Sequence, residues 1–139
     1  MIDQVTLFLE NRKGRLAKAL NVIADADINL YSFTVAETDD YGIARIIVNK
    51  PEAAVEVLRE SNHRAHLTPM IVVKIENKVG ASVNLLDALE ANNINIEYCY
   101  AFSSSDNVSY IVLRTVSPGA EEFIEYLGYE TISKEDFYN

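Results

Sequence analysis

Glu10-Asn11-Arg12-Lys13-Gly14-Arg15-Leu16 and Glu76-Asn77-Lys78-Val79-Gly80-Ala81-Ser82 decide how this chain is read. Each places Glu-Asn ahead of a basic residue and a glycine, and the second copy starts 66 residues after the first. At the same offset Leu20 answers Leu86, Ile28 answers Ile94 and Asn29 answers Asn95. Pro51 answers Pro118 at an offset of 67, so one loop differs by a residue. A fixed internal period means that one supersecondary unit has been used twice. The halves are expected at 1–69 and 70–139, meeting near Thr68-Pro69-Met70 without a Gly/Ser-rich linker. Halves of this size bury little alone, which predicts that they pack together.

Each copy is flanked by the same periodicities. Before the first, Val5, Leu7 and Leu9 alternate with Gln4, Thr6 and Phe8, the period of a strand. After it, Leu16, Leu20 and Ile23 recur at helical spacing up to Asp25-Ala26-Asp27. Ile28 to Ala36 and Ile43 to Val48 read as a hairpin around Thr38-Asp39-Asp40-Tyr41-Gly42. Pro51 suits the first turn of a second helix, where its missing N–H is no loss. A last strand runs from Arg64 to Pro69.

The second half repeats this order. A strand covers Ile71 to Glu76, and a helix carries Val83, Leu86 and Leu89. Next comes a strand with Ile94, Ile96, Tyr98, Tyr100 and Phe102 on one face, then a return strand from Val108 to Leu113. A helix opened by Pro118 and stopped at Gly128 leads to a closing strand from Tyr129 to Ile132. The fold class is α+β: two ferredoxin-like βαββαβ units with antiparallel sheets and both helices on one face. The near-contiguous strands Arg64–Pro69 and Ile71–Glu76 predict a shared strand or a sheet that continues across the halves.

Composition narrows the function. The 139 residues carry 12 Lys+Arg against 21 Asp+Glu, a formal charge of −9. Nucleic-acid partners need a basic surface and are not expected, nor is an anionic membrane. No apolar run approaches the ~20 residues of a membrane span, and Met-Ile-Asp-Gln does not open a signal peptide, so a cytoplasmic location is expected. The single Cys99 forms no internal disulfide and reads as a small buried hydrophobe.

The repeated asparagines carry the chemistry. Asn11 and Asn77 follow the first strand of each half, and Asn29 and Asn95 start the next strand, both expected at one end of the sheet. An asparagine amide offers two donors and an acceptor, so it meets both the carboxylate and the ammonium of a free amino acid. Gly14 and Gly80 permit close approach, and the N–H groups of the following helix favour a carboxylate. Helix caps and turn residues explain the same asparagines equally simply.

Glu-Asn-x-x-Gly-x-Leu, a helix, an Ala-Asp-x-Asn-Ile-like strand entry, a hairpin and a Pro-started helix, with a second, diverged copy at matching spacing, resemble the ACT domain. The resemblance implies a tandem pair covering essentially the whole chain. It implies a non-catalytic regulatory protein that binds a small amino acid where two units meet. One unit supplies the loop after its first strand and the other supplies strand or helix residues. In serine-sensing members the loop Asn and the strand-start Asn touch the ligand. Carried over, the ligand-binding set is Asn11, Gly14, Arg15, Leu16, Asn29 and Leu30 in the first half. In the second it is Asn77, Gly80, Ala81, Asn95 and Ile96. Lys13 and Val79 stand where the family usually has proline, and Ser82 replaces Leu16, so the second site is altered. No cofactor or metal is called for. A homodimer is expected, its interface drawing on Tyr98, Tyr100 and Phe102 and on Tyr31 and Phe33. A metabolic enzyme bound in trans is the other expected partner.

Two alternatives have weaker support. Acylphosphatases share the fold and hold phosphate in the first loop. Arg12, Lys13 and Arg15 make that loop basic here, but the second loop keeps only Lys78 and the glycine-rich cradle is missing. His63 and His66 have the spacing of a metal pair, yet no Cys or carboxylate joins them on a common face, and they read as solvated.

Overall fold

The computed structural model of the chain describes residues 1–10, 12–37, 40–105 and 107–138. Strict alternation builds β1 (Ile2–Glu10), and helical spacing builds α1 (Arg15–Asp25). They are followed by β2 (Leu30–Glu37), β3 (Tyr41–Val48), α2 (Pro51–Glu60) and β4 (Arg64–Glu76). The second round comprises α3 (Ala81–Ala91), β5 (Tyr98–Ser103), β6 (Val108–Arg114), α4 (Ala120–Tyr126) and β7 (Glu130–Thr131). A short helix, α5 (Lys134–Tyr138), ends the described chain and has no counterpart in the sequence reading.

The chain divides into two compact units. The first comprises Asp3–Thr68 with Tyr138, and the second Met1–Ile2 with Pro69–Phe137. In the first unit the strands lie in the order β2-β3-β1-β4. Antiparallel pairing sets Val5 against Ile46 and Leu7 against Ala44, and Phe33 and Val35 stand opposite Ile46 and Ala44 from the other side. The inward residues of β1 and β3 meet Ala19 and Ile23 of α1 and Ala54, Val55 and Leu58 of α2 in one core. Period 2 on the strands and period 3.6 on the helices thus converge on a single face, as the alternation requires. Tyr138 joins this unit by accepting a hydrogen bond from the Asp3 N–H at 3.1 Å.

In the second unit β5, β6, β4 and β7 lie in that order. Its core joins Ile71, Val73 and Ile75 of β4 to Ile111 and Leu113 of β6, Leu85 and Leu89 of α3, and Ala120 and Ile124 of α4. Ion pairing ties the Met1 ammonium to Glu121 at 3.1 Å.

The shared strand expected across the halves is present: Arg64–Pro69 and Ile71–Glu76 belong to one strand, β4, running through Pro69. Other boundaries differ from the sequence reading. Pro118 stands outside the last helix, whose N-cap is Gly119. The strand expected from Ile94 begins at Tyr98. Its predicted start is diverted because the Asn95 carbonyl accepts the Thr115 hydroxyl at 2.7 Å. Cys99, expected to be buried, is exposed. It pairs with Leu113 and sits on β5, the edge strand of the order.

Candidate functional site

The two copies of the motif fold into the same loop. The Arg12 N–H donates to the Glu10 carbonyl at 2.7 Å, and the Lys78 N–H donates to the Glu76 carbonyl at 3.0 Å. The Arg15 N–H then donates to the Arg12 carbonyl, and Ala81 to Lys78, both at 3.3 Å. Gly14 (φ +84) and Gly80 (φ +85) form the N-caps of α1 and α3 in the left-handed region, where other L-residues are strained. A Cβ at either glycine would meet nothing within 4 Å, so the backbone angle, not crowding, calls for glycine. Even the side chains match: Arg12 pairs with Glu10, and Lys78 with Glu76 at 2.8 Å. The hydrogen bond and charge of Lys78 hold the Glu76 carboxyl below its usual range, and Glu76 raises Lys78 in return.

Among the described residues no side chain caps α1 or α3. The Asn77 N–H donates to the Asn107 carbonyl at 3.0 Å. Asn11 lies outside the described residues. Asn29 precedes β2, and its backbone is clamped by Asn49: the Asn29 N–H donates to Asn49 Oδ1 at 2.9 Å, and the Asn49 N–H donates to the Asn29 carbonyl at 3.1 Å. Asn95 is held in the equivalent place, its N–H donating to Ser117 Oγ at 3.3 Å and its carbonyl accepting from Thr115. Both are exposed, and their side-chain amides have no partner among the described residues. Asn49, Thr115 and Ser117 went unnoticed in the sequence because they differ in type and the offset there has slipped to 67.

One expectation is corrected. The Gly14 loop and Asn29 lie at opposite ends of their sheet. Glu10 pairs with Tyr41 at one end of β3, and Leu30 pairs with Val48 at the other. Seven steps at about 3.4 Å separate these ends by roughly 24 Å. The chain doubles back once through α1 between the loop and Asn29, which puts them a full strand length apart. No ligand the size of an amino acid spans that distance.

Of the remaining candidates, Leu16 and Leu30 pack against the first core, and Ala81 and Ile96 against the second. Arg15 is half-buried, and its Nε is buried without a hydrogen-bond partner among the described residues.

Beside each loop is a cleft, and the clefts correspond position by position. The first, about 490 Å³, is lined by Phe8, Leu9, Glu10, Arg15, Tyr41, Asn62 and Arg64. The second, about 460 Å³, includes Lys74, Ile75, Glu76, Ala81, Gly128 and Glu130, each 66 residues after its counterpart. Asn62 (φ +64) and Gly128 (φ +98) are left-handed in both. Phe8, Tyr41, Asn62 and Arg64 were not singled out from sequence, although the 66-residue offset aligns Asn62 with Gly128 and Arg64 with Glu130.

His63, expected to be solvated, is only 4% exposed, and both ring nitrogens lack partners among the described residues. Burial first, then the charges of Arg15 and Lys18, lower its pKa. His66 is exposed and stands 5.7 Å from the Phe8 ring. Among the described residues no three His, Cys, Asp or Glu gather as a metal site would require. Among them, too, no helix is long and apolar enough to cross a membrane.

The model of the ACT domain pair matches residues 1–137. A solved protein from Bacteroides thetaiotaomicron shares 30% identity and a TM-score of 0.90, covering 99% of this chain and 95% of its own. The regulatory subunit of aspartate kinase from Thermus thermophilus has the same fold, with a TM-score of 0.64 at 20% identity over 89% of this chain and 86% of its own. The acetolactate synthase small subunit of Buchnera aphidicola is 22% identical over 136 residues, 88% of this chain and 84% of that protein. The duplicated loop, the twice-built four-stranded sheet and the match over residues 1–137 together place this chain in the ACT domain pair family.

Proposed function

We propose that this protein is a non-catalytic regulator that binds a small amino acid where one ACT unit meets another. The observation that carries the reading is the repeated arrangement itself. Each unit presents, at one end, a glycine-capped loop beside a helix N-terminus and, at the other, an asparagine with a clamped backbone and an unengaged amide. A loop from one unit set against the strand start of a second unit brings carboxylate-binding N–H groups and a bifunctional amide together. In the first half the groups are Asn11, the N–H groups near Gly14, Arg15 and Leu16, and Asn29 with Leu30. In the second they are Asn77, Gly80, Ala81, Asn95 and Ile96. Arg12 is occupied by Glu10, which argues against an acylphosphatase-like use of the loop.

The homodimer fits this reading. β2 is an edge strand that exposes Tyr31, Phe33 and Val35, and a second copy is the simplest cover for an apolar edge. Action on a metabolic enzyme in trans is the second reading. It is favoured by the likeness to the acetolactate synthase small subunit over most of both chains.

A thermal-shift screen against the twenty amino acids tests the function. A ligand at 100 times its Kd stabilises by about 2.7 kcal/mol. The reading expects one or a few small amino acids to raise Tm by several degrees. No shift from any of the twenty at millimolar concentration would overturn it. Affinity capture from native extract tests the enzyme partner, and a metabolic enzyme retained in stoichiometric amount is the expected result.

A further inference from the structure

We propose that the cleft of the first unit is a second binding site, for a small organic anion bearing two negative charges. It is built wholly within residues 3–68 and does not depend on an amino acid bound elsewhere.

Two arginines line this cleft, Arg15 from the start of α1 and Arg64 from the start of β4. Neither has a carboxylate partner among the described residues. That is unexpected in a chain where acids outnumber bases 21 to 12. Glu10, the acid of the cleft, is taken by Arg12. The Arg15 Nε is buried without an acceptor among the described residues, a state that costs free energy unless something supplies one. Arg64 lies over the Phe8 ring at 5.6 Å, and its guanidinium still has N–H donors to offer an oxyanion. Phe8 and Tyr41, with ring centroids 6.5 Å apart, add an aromatic wall for the apolar part of the ligand. The positive field reaches past the cleft, because the charges of Arg15 and Lys18 help keep the buried His63 neutral.

The equivalent cleft of the second unit is a built-in control. There Lys74 replaces Phe8, Ala81 replaces Arg15 and Glu130 replaces Arg64. Its charges are already matched, Lys74 with Glu130 at 3.6 Å and Lys78 with Glu76 at 2.8 Å. The duplication kept the cavity and changed its charge, so anion binding belongs to the first copy alone.

The test uses the full chain with phenyl phosphate, succinate and inorganic phosphate as probes, against sodium chloride at matched ionic strength. Isothermal calorimetry gives affinity, and melting of the unliganded protein reports folding. The expected result is millimolar or tighter binding of phenyl phosphate, succinate or both. Arg64→Gln weakens it roughly ten- to a hundredfold, as loss of a charge-assisted hydrogen bond should. Arg15→Gln does the same, and Lys78→Gln has no effect. Preference for phenyl phosphate identifies a phosphomonoester, and preference for succinate a dicarboxylate. Arg64 is exposed, so Arg64→Gln still reports should Arg15→Gln not fold. Failure of all probes to bind, equal binding by wild type and Arg64→Gln, or loss of binding in Lys78→Gln would overturn the proposal. The amino-acid screen is a separate readout, so either result stands without the other.

Discussion

Gly14 shows how much one backbone angle decides. Its φ of +84 costs an L-residue about 1–2 kcal/mol, and no neighbour obstructs a Cβ. Gly14→Ala should therefore lower stability by about that much in urea titration. Gly14→Asn should lower it less, because asparagine tolerates this region better. His63 makes a different kind of prediction. Its folded pKa is depressed, so the unfolded chain takes up its proton first as pH falls. Stability should hold above about pH 6.5 and decline as pH drops below it toward the folded value. Melting temperature against pH for wild type and His63→Gln checks this: the variant should have the flatter curve between pH 7 and 5. The glycines were legible because left-handed caps favour one residue. His63 was misread because its burial comes from α1, some 40 positions away in sequence, while Ser61, Asn62 and Arg64 around it look solvent-facing.

At the scale of elements, periodicity named the strands and helices that build the first core, β1, α1, β3 and α2. Leu58 of α2 is fully buried among β1, β3 and α1, and Leu58→Ala should cost roughly 2–5 kcal/mol in chemical denaturation. Pattern failed where side-chain-to-backbone bonds replaced ladder bonds. Thr115 takes the Asn95 carbonyl and delays β5 to Tyr98, and no alternation of apolar residues signals such a bond. β4 runs through Pro69, the shared strand that the near-contiguity of Arg64–Pro69 and Ile71–Glu76 predicts. Edge strand β2 carries the assembly prediction. Phe33 is 46% exposed there, and Phe33→Lys should shift light scattering from twice the chain mass towards the single mass of 15.6 kDa. A single mass already in the wild type at micromolar concentration would remove the homodimer.

For the molecule as a whole, the duplication and part of its divergence, such as Ser82 in place of Leu16, were legible in the sequence, and the geometry was not. Matching residues at a 66-residue offset revealed two units, because a repeat leaves identical letters at fixed spacing. Their geometry was inaccessible to the same letters. Asn29 and the Gly14 loop belong to one motif yet sit a strand length apart, since α1 carries the chain back before β2 begins. The clefts likewise keep their shape while Arg15 and Arg64 give way to Ala81 and Glu130. The proposed amino-acid site, if it joins a loop and an asparagine, therefore draws on two units. Calorimetric titration of the best amino acid from the screen into wild type, Asn29→Ala and Asn95→Ala tests it most directly. The account predicts a ten- to hundredfold loss of affinity in at least one variant, with an unchanged melting temperature in the absence of ligand. Unaltered affinity in both, accompanied by the ~1 kcal/mol loss of stability expected of a structural cap, would contradict it.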